Sequence, residues 1–433
     1  MKKIVWGMGA AAVLTVGAWA GTGVYLGVQA DDTLERLAAP PSAKTGSTWR
    51  ISQLQHQRGL FQSSGQFLLV YSPACASQPG KDDSRTAQVS YTLNHLPTPG
   101  AAARFQWQLT PQGEAAQTFK NLFGLASALK GQGSVSLTGA IRSDMNLPAV
   151  TLRDSGQMLE ITPSAGTLAM NGQQLAMQWK TDRLVVRGDG HAFDLQGIAL
   201  DLTLDDRSKG TGSGSLKVAR SNASLGTLEG LDLSVEAREK GDRLHMNFTP
   251  SLRKLEVGTQ VLTDLRMQWA LNGLHTASAE RLVQLLEDSC GLESMTADES
   301  KAAAQAAQAL LAKGFTFGMS KLTGKAANGS LEGSFIVELV AASGSTPSLP
   351  EQLRSSGKIE IKGAVITPQQ REIAVGTGFA VAQGDSLSAD YEYAKGVLKV
   401  NNRAIDASFV AGVVTRLDED LRNALAPSQG AAR

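Results

Sequence analysis

The sequence predicts a mainly β protein (β-rich α+β): an extended, curved antiparallel sheet of many short strands, a few amphipathic helices packed on it, and one transmembrane helix in front. Three observations carry that expectation. Apolar and polar residues alternate over most of the chain after Gly133, the period of a half-buried strand. Turn residues interrupt the alternation at intervals of roughly 8–12 residues where strands are dense, as in antiparallel meanders. An uncharged apolar run covers residues 4–28 and has no equal elsewhere in the chain.

That run comes first in order. Ile4, Trp6, Val13, Leu14, Trp19, Val24, Leu26 and Val28 supply its bulk, with Lys2 and Lys3 ahead of it and Asp31 and Asp32 behind. At about 1.5 Å per residue it is long enough to cross a hydrocarbon core of about 30 Å. Lysines on its short N-terminal flank favour an N-inside orientation. Residues 1–30 are therefore expected to be a signal anchor in the inner membrane, with the bulk of the chain in the periplasm. The alternative is a signal peptide cleaved after Ala20, since Ala18-Trp19-Ala20 fits the A-x-A pattern, which would leave a soluble periplasmic protein. Apolar residues running on through Ala20 favour the anchor. The first cysteine after the run is Cys75, so a lipoprotein is excluded.

Residues 31–50 read as a tether, on the Pro/Gly/Ser-rich stretch from Ala39 to Ser47. The exported β-rich domain is expected over residues 51–426, with possible subdivision near Gly314 or residues 343–350, and a disordered tail over 427–433. Alternation marks strands at residues 134–138, 157–161, 175–179, 198–204, 231–235, 358–361 and 391–393. Asn171-Gly172, Gly226, Gly241-Asp242 and Lys395-Gly396 punctuate them as turns. One face of these strands is apolar; the other carries Asp, Glu, Lys, Ser and Thr, as when one side only is covered. Helical spacing of apolar residues marks residues 114–129 and 277–288. An alanine-rich stretch marks 301–313, and a short terminal helix is expected over 416–426. The acidic residues from Cys290 to Ser300 read as a loop.

Composition excludes some functions. Lysine plus arginine number 41 against 40 aspartates and glutamates, so no global field draws the chain to nucleic acid. Aromatics make up only 5%, too few for base-stacking platforms. Cys75 and Cys290 are the two cysteines, and export would permit a disulfide between them.

The search for chemistry yields no expected catalytic residue, metal or cofactor. His56, His95, His191, His245 and His275 have no metal-ligand spacing. Residues 210–215 lack the frame of a nucleophile elbow, and residues 376–381 lack the third glycine and the βαβ context of a dinucleotide loop. Ser251-Leu252-Arg253-Lys254 fits S-x-x-K, but the one K-T-G, Lys44-Thr45-Gly46, precedes it in the tether, against the penicillin-binding order. Asp201, Asp205 and Asp206 lack calcium-loop spacing. The chain reads as a non-enzyme.

Several segments resemble the YdgA-type family of bacterial envelope proteins, which carry an N-terminal membrane segment and no assigned activity. Arg58-Gly59-Leu60-Phe61-Gln62-Ser63 is similar to that family's R-G-x-F-x-S stretch. Residues 225–231, with Gly226 and Gly230, resemble an internal motif, residues 262–274 the lead-in to its central helix, and residues 387–403, with Gly396, its closing hairpin. The family tends to follow a histidine with Gly-Pro, whereas His95 is followed by Leu96-Pro97. The resemblance implies an anchored envelope protein and names no catalytic residue. From the residues alone, Arg58 and Gly59 mark a turn or strand entry, with Gly59 expected at positive φ.

The leading functional expectation is non-enzymatic binding of a lipid or other amphipathic ligand on the apolar sheet face. The runner-up is a scaffold or assembly factor pairing with envelope proteins through sheet edges; a hydrolase built from distant residues comes third. The expected partners are the inner membrane and, beyond it, lipid or envelope proteins.

Overall fold

Alternation becomes strand over most of the chain, and nearly every strand pairs antiparallel with the one before it. The computed structural model describes residues 48–72, 85–95, 97–98, 100–112, 129–154, 157–188, 191–207, 209–224, 226–289, 295–342 and 348–425. Residues 1–47, both cysteines, the body of the expected 114–129 helix and the tail lie outside the described residues. Among the described residues no helix is long and apolar enough to cross a membrane. Two compact units divide the chain, one ending at Lys209 without residues 194–196, the other taking those three and everything from Gly210.

In the first unit, β1 (Thr48–Arg58), β2 (Gln62–Ser72), β3 (Arg85–Asn94), β4 (Ala103–Pro111), β5 (Leu129–Val135) and β6 (Ile141–Leu147) pair in sequence order. β7 (Val150–Asp154), β8 (Gln157–Ile161) and β9 (Ser164–Asn171) then form one long hairpin with β6. Leu147 faces Ser164 and Val150 faces Ile161 in a single register. That register sets Pro148 opposite Pro163, where neither can donate to the ladder, so the bonding lapses and each strand is broken in two. β10 (Gln174–Gly188) spans the break, pairing with both β9 and β8. β11 (His191–Asp206) follows.

The second unit runs β12 (Thr211–Ala223), β13 (Gly226–Lys240), β14 (Arg243–Val257) and β15 (Gln260–His275), then β16 (Phe315–Ala326), β17 (Gly329–Leu339) and β18 (Leu353–Gly363), each paired with the next. β18 pairs with β20 (Ser386–Ala394), whose other edge carries β19 (Val381–Gln383) and β21 (Val397–Val400); β22 (Arg403–Ile405) pairs with β21. Helices fill the connections: α1 (Thr276–Asp288) and α2 (Ala297–Lys313) between β15 and β16, α3 (Leu349–Gln352) before β18, α4 (Pro368–Gly376) before β19, and α5 (Ser408–Leu425) last. α1 and α2 pack on β15, and α5 packs on α2 and α3.

The β-rich antiparallel class matches expectation, but the strands are not short. β13 and β14 have 15 residues each and β15 has 16. Gly230, at φ +65, lies inside β13 rather than at its end, with the β12–β13 register the same on either side of it. The strand expected at 134–138 is shifted to β5, and Leu129, expected to close a helix, opens that strand. Strands β1–β4 precede the point where alternation was read. α2 begins within the segment read as an acidic loop, because Thr296 and Glu299 form a reciprocal capping box. α4 was not anticipated, although Thr367, Pro368 and Gln370 make a second capping box with proline in the first turn. α5 starts eight residues before the predicted 416.

Candidate functional site

The registers of the second unit align its apolar residues into rows that cross the strands. One row runs Val235, Phe248, Trp269, Met319 and Phe335, then over Gly357 to Tyr391. A second lies alongside it through Met267, Leu322, Gly333, Ile359 and Ala389. A third, on the other flank, runs Met246, Leu271, Phe317, Val337, Ser355 and Tyr393. Side chains two apart along a strand share a face, so the three rows floor one side of the sheet. Neighbouring positions present Lys217 to Asp232, Glu338 to Arg354 and Lys358 to Asp390 on the other side.

The apolar floor is partly wet. Phe248, Phe317 and Ile359 stay 42%, 41% and 39% exposed, where a folded core would bury such side chains. Trp269 stacks on Phe317 at 5.7 Å between ring centres and meets Phe335 edge-on at 5.4 Å, the favoured aromatic geometries. At the β16–β21 end the floor is partly roofed and stays open to solvent. Phe379, on the segment between α4 and β19, and Val410 of α5 help enclose a cavity of about 700 Å³. All three rows reach it, through Phe335 and Tyr391, Leu322 and Ile359, and Val337 and Tyr393. A polar contact within it joins Ser355 Oγ and Tyr391 Oη at 3.1 Å, and Ser355 also donates to the Ile336 carbonyl. The three rows that make the floor carry no charged residue and one satisfied hydroxyl pair, while Lys358 and Asp390 also touch the lining of the cavity.

Polar contacts fasten the roof. Asp418, 6% exposed on α5, accepts from the Leu349 backbone N–H at 2.9 Å and pairs with Arg422 at 2.8 Å. Gln352, also buried, donates to the carbonyls of Leu311 and Val340, both at 2.7 Å. Asn401 donates to the Gly378 carbonyl beside Phe379 at 3.3 Å. Along the outer face, Lys362 and then Ser386 hold the Glu360 carboxyl below the usual range. At the far end of β14, Arg243 donates to the carbonyls of Gly273, Lys313 and Gly314, closing the α2 C-terminus. Asp242 beside it is lowered by the Lys313 ammonium at 3.2 Å.

α5 also carries surface of a different kind. Phe409, Val413 and Leu417 form an i, i+4, i+8 stripe that is solvent-exposed, Phe409 to 82%. Val410, on the next face, is the one that lines the cavity.

The residues singled out from sequence lie elsewhere. Arg58 ends β1 opposite Ser63. Gly59 does not adopt positive φ; its need for glycine is space, since a Cβ there would fall 2.5 Å from the Gln62 carbonyl oxygen. The Phe61 carbonyl accepts from the His95 N–H at 2.9 Å, and Ser63 Oγ meets His95 Nε2 at 2.7 Å, both residues at most 1% exposed. The R-G-x-F-x-S stretch and the histidine of the second motif are thus one knot. Shut off from solvent, that Ser–His pair ties the two segments together. Gly226 opens β13, and Gly396, at φ +77 after Lys395 at φ +50, makes the tight turn of the β20–β21 hairpin. Among the described residues no three His, Cys, Asp or Glu side chains gather as a metal site. Sequence reading placed Ile359, Tyr391, Tyr393 and Leu398 of this cavity on strands and in the closing hairpin but assigned none of them to a site.

Comparison with curated proteins and with solved structures finds no match for this chain. A family model matches residues 1–407, nearly the whole chain. The chain belongs to that family, DUF945, a bacterial protein family of unknown function.

Proposed function

We propose that the second unit binds a lipid or another amphipathic ligand non-covalently, its apolar chain lying across the strands in the roofed cavity. The observation that carries this reading is the convergence of three apolar rows on one cavity of about 700 Å³, within the size range of small-molecule sites. Every methylene moved from water onto such a floor contributes about 0.8 kcal/mol, so an acyl chain would bind without a charged anchor in the cavity. The YdgA-type resemblance and the apolar run over residues 4–28 support placing this activity at the periplasmic face of the inner membrane. Native mass spectrometry of detergent-extracted protein tests the reading. Wild type is expected to carry lipid-sized adducts, and Ile359→Glu, which sets a carboxylate in the floor, is expected to lose them. A ligand-free wild-type spectrum with no uptake of added lipid would overturn it.

A further inference from the structure

We infer that the first unit binds an acidic glycan on the polar face of its sheet. This site lies in the other unit from the apolar cavity and does not depend on the lipid-binding reading. Tyr91, Trp107 and Gly131 share one cross-strand row, and their strand neighbours point to the opposite side. Across β4, β5 and β6 those neighbours make three rows of their own: Gln108, Lys130 and Asn146; Gln106, Gln132 and Asp144; Arg104, Ser134 and Arg142. Two open hollows of about 580 and 550 Å³ lie between the rows and share Thr92, Gln106 and Gln132.

Two features set this face apart from one that is merely solvated. The first is its amides. Beside the hollows, glutamines on the same face bond one another: Gln66 donates to Gln55 at 2.7 Å, Gln88 to Gln66, and Gln112 to Gln88 at 3.0 Å. In the hollows Gln106 stands opposite Gln132, yet among the described residues neither they nor Gln108 and Asn146 have a hydrogen-bond partner, and all four are exposed. Each amide both donates and accepts, so together they match a ligand built of hydroxyls. The second feature is charge. On the second unit's strands, cations are paired, as in Lys217–Asp232 and Lys362–Glu360. Arg104, Lys130 and Arg142 make no ion pair among the described residues, and Asp144 is the one acidic residue lining either hollow. Three positive charges to one negative are complementary to an anion. Arg104 and Arg142 flank Ser134 two strand spacings apart, about 9.6 Å, near enough for both guanidiniums to reach one carboxylate. The same lining disfavours other polyanions. Its rings, Tyr91, Phe105 and Trp107, belong to the opposite face, so none is offered to a nucleobase, and no apolar side chain stands in the hollows to anchor a peptide. Polar groups recur along a row at about 4.8 Å, close to the length of one pyranose unit.

Isothermal titration of the full-length, detergent-solubilised protein tests the assignment. Tetrasaccharides of galacturonate, mannuronate and hyaluronan serve as acidic glycans and maltotetraose as the neutral one. Tetraglutamate and oligothymidylate serve as polyanions without a run of hydroxyls. At least one acidic glycan is expected to bind about tenfold or more tightly than maltotetraose and than either polyanion, because charge-assisted bonds add to those of the amides. Its margin over maltotetraose should shrink as salt is raised. The double variant Arg104→Gln, Arg142→Gln is expected to bring that glycan down to the neutral level. Gln106→Ala, Gln132→Ala is expected to weaken acidic and neutral glycans together. All four positions are exposed, and an unchanged melting temperature checks that the variants fold. Polyanions binding as tightly as the acidic glycans would reduce the face to a plain anion patch and overturn the proposal. Maltotetraose binding as tightly would overturn the role of the cations. No binding of any acidic glycan, or full binding by both variants, would overturn the site itself.

Discussion

The two units share a plan, an antiparallel meander with one apolar face, and differ in what stands beside each aromatic ring. In the first unit one cross-strand row reads His56, Gly65, Tyr91, Trp107, Gly131 and Met145, then Gly166 and Trp179. Each ring there has a glycine for a neighbour and lies down on it: a Cβ at Gly65, Gly131 or Gly166 would come within 2.6 Å of Tyr91, Trp107 or Trp179. Trp107 then reaches across to donate to Ser143 Oγ at 3.0 Å, and His56 stacks on Tyr91. In the second unit Trp269 stands between Phe248 and Met319, with no glycine to lie on, and among the described residues only Tyr391 over Gly357 repeats the first unit's arrangement. A glycine beside an aromatic lets the sheet pave its own face. A large neighbour holds the rings up and leaves a trough for something else to fill.

The largest expected effect breaks the paved face. Gly166→Ala would set a Cβ 2.4 Å from Trp179 Cε3 and 2.5 Å from the Gln178 carbonyl oxygen, and overpacking of this kind costs about 3 kcal/mol. Gly333→Ala in the second unit meets backbone only at 3.2 Å and Leu322 at 3.7 Å, so it should cost less than about 1 kcal/mol. Urea unfolding of the two variants measures the contrast. Equal losses would show that glycine plays the same part in both units, and the distinction drawn above would fail.

A smaller effect, of opposite sign, sharpens the other half. Ala389→Leu adds three carbons to the cavity side of β20, where there is room, and filling such a space typically gains about 0.5–1 kcal/mol. The melting temperature should rise while lipid uptake falls, because protein and ligand compete for one volume. A fall in stability would mean that the cavity is not available to side chains of its own chain.

Much of this plan was legible in the sequence, and the parts that were not have physical causes. Alternation located β8, β10, β13, β18 and β20 and predicted the separation of apolar from charged faces, because that pattern depends only on the two-residue period of a strand. It understated strand length: only residues 231–235 were read as strand where β13 runs over Gly226–Lys240, with Gly230 held inside it at φ +65. It started too late because β1–β4 carry their apolar alternation, Phe67 and Leu69, Val89 and Tyr91, Phe105 and Trp107, among glutamines and serines. The cavity was invisible for a deeper reason. Rows form from registers between strands up to scores of residues apart, such as Trp269 against Met319, and no local pattern encodes a register. Ser63 and His95 were each in view within a motif, but not their meeting, for the same reason.

The smallest effect concerns the helices that frame the roof, and it is a pH effect. The Glu299 carboxyl is held below the usual glutamate range, chiefly by the Thr296 N–H and then its hydroxyl, both at 2.8 Å. Asp406 is likewise lowered by the Ser408 N–H at 2.8 Å, where α5 begins. A carboxyl whose pKa is depressed on folding stabilises fully above its unfolded value and loses that contribution as pH falls through its folded one. For both groups the loss therefore begins near the ordinary carboxylate values, about 4.3 for Glu and 3.9 for Asp, and continues below them. Acid should fray the first turns of α2 and α5; in the sheet, Glu360 on β18, lowered by Lys362 and then Ser386, loses its contribution in the same direction. A Glu299→Ala, Asp406→Ala double variant should melt below wild type at pH 7, and the gap should close as pH drops toward 3. A gap that persisted at low pH would assign the difference to helix propensity or packing and not to the two carboxylates. Because α5 brings Val410 to the cavity, acid-induced loosening of its first turn should also open the roof of the second unit and leave the self-paved face of the first untouched.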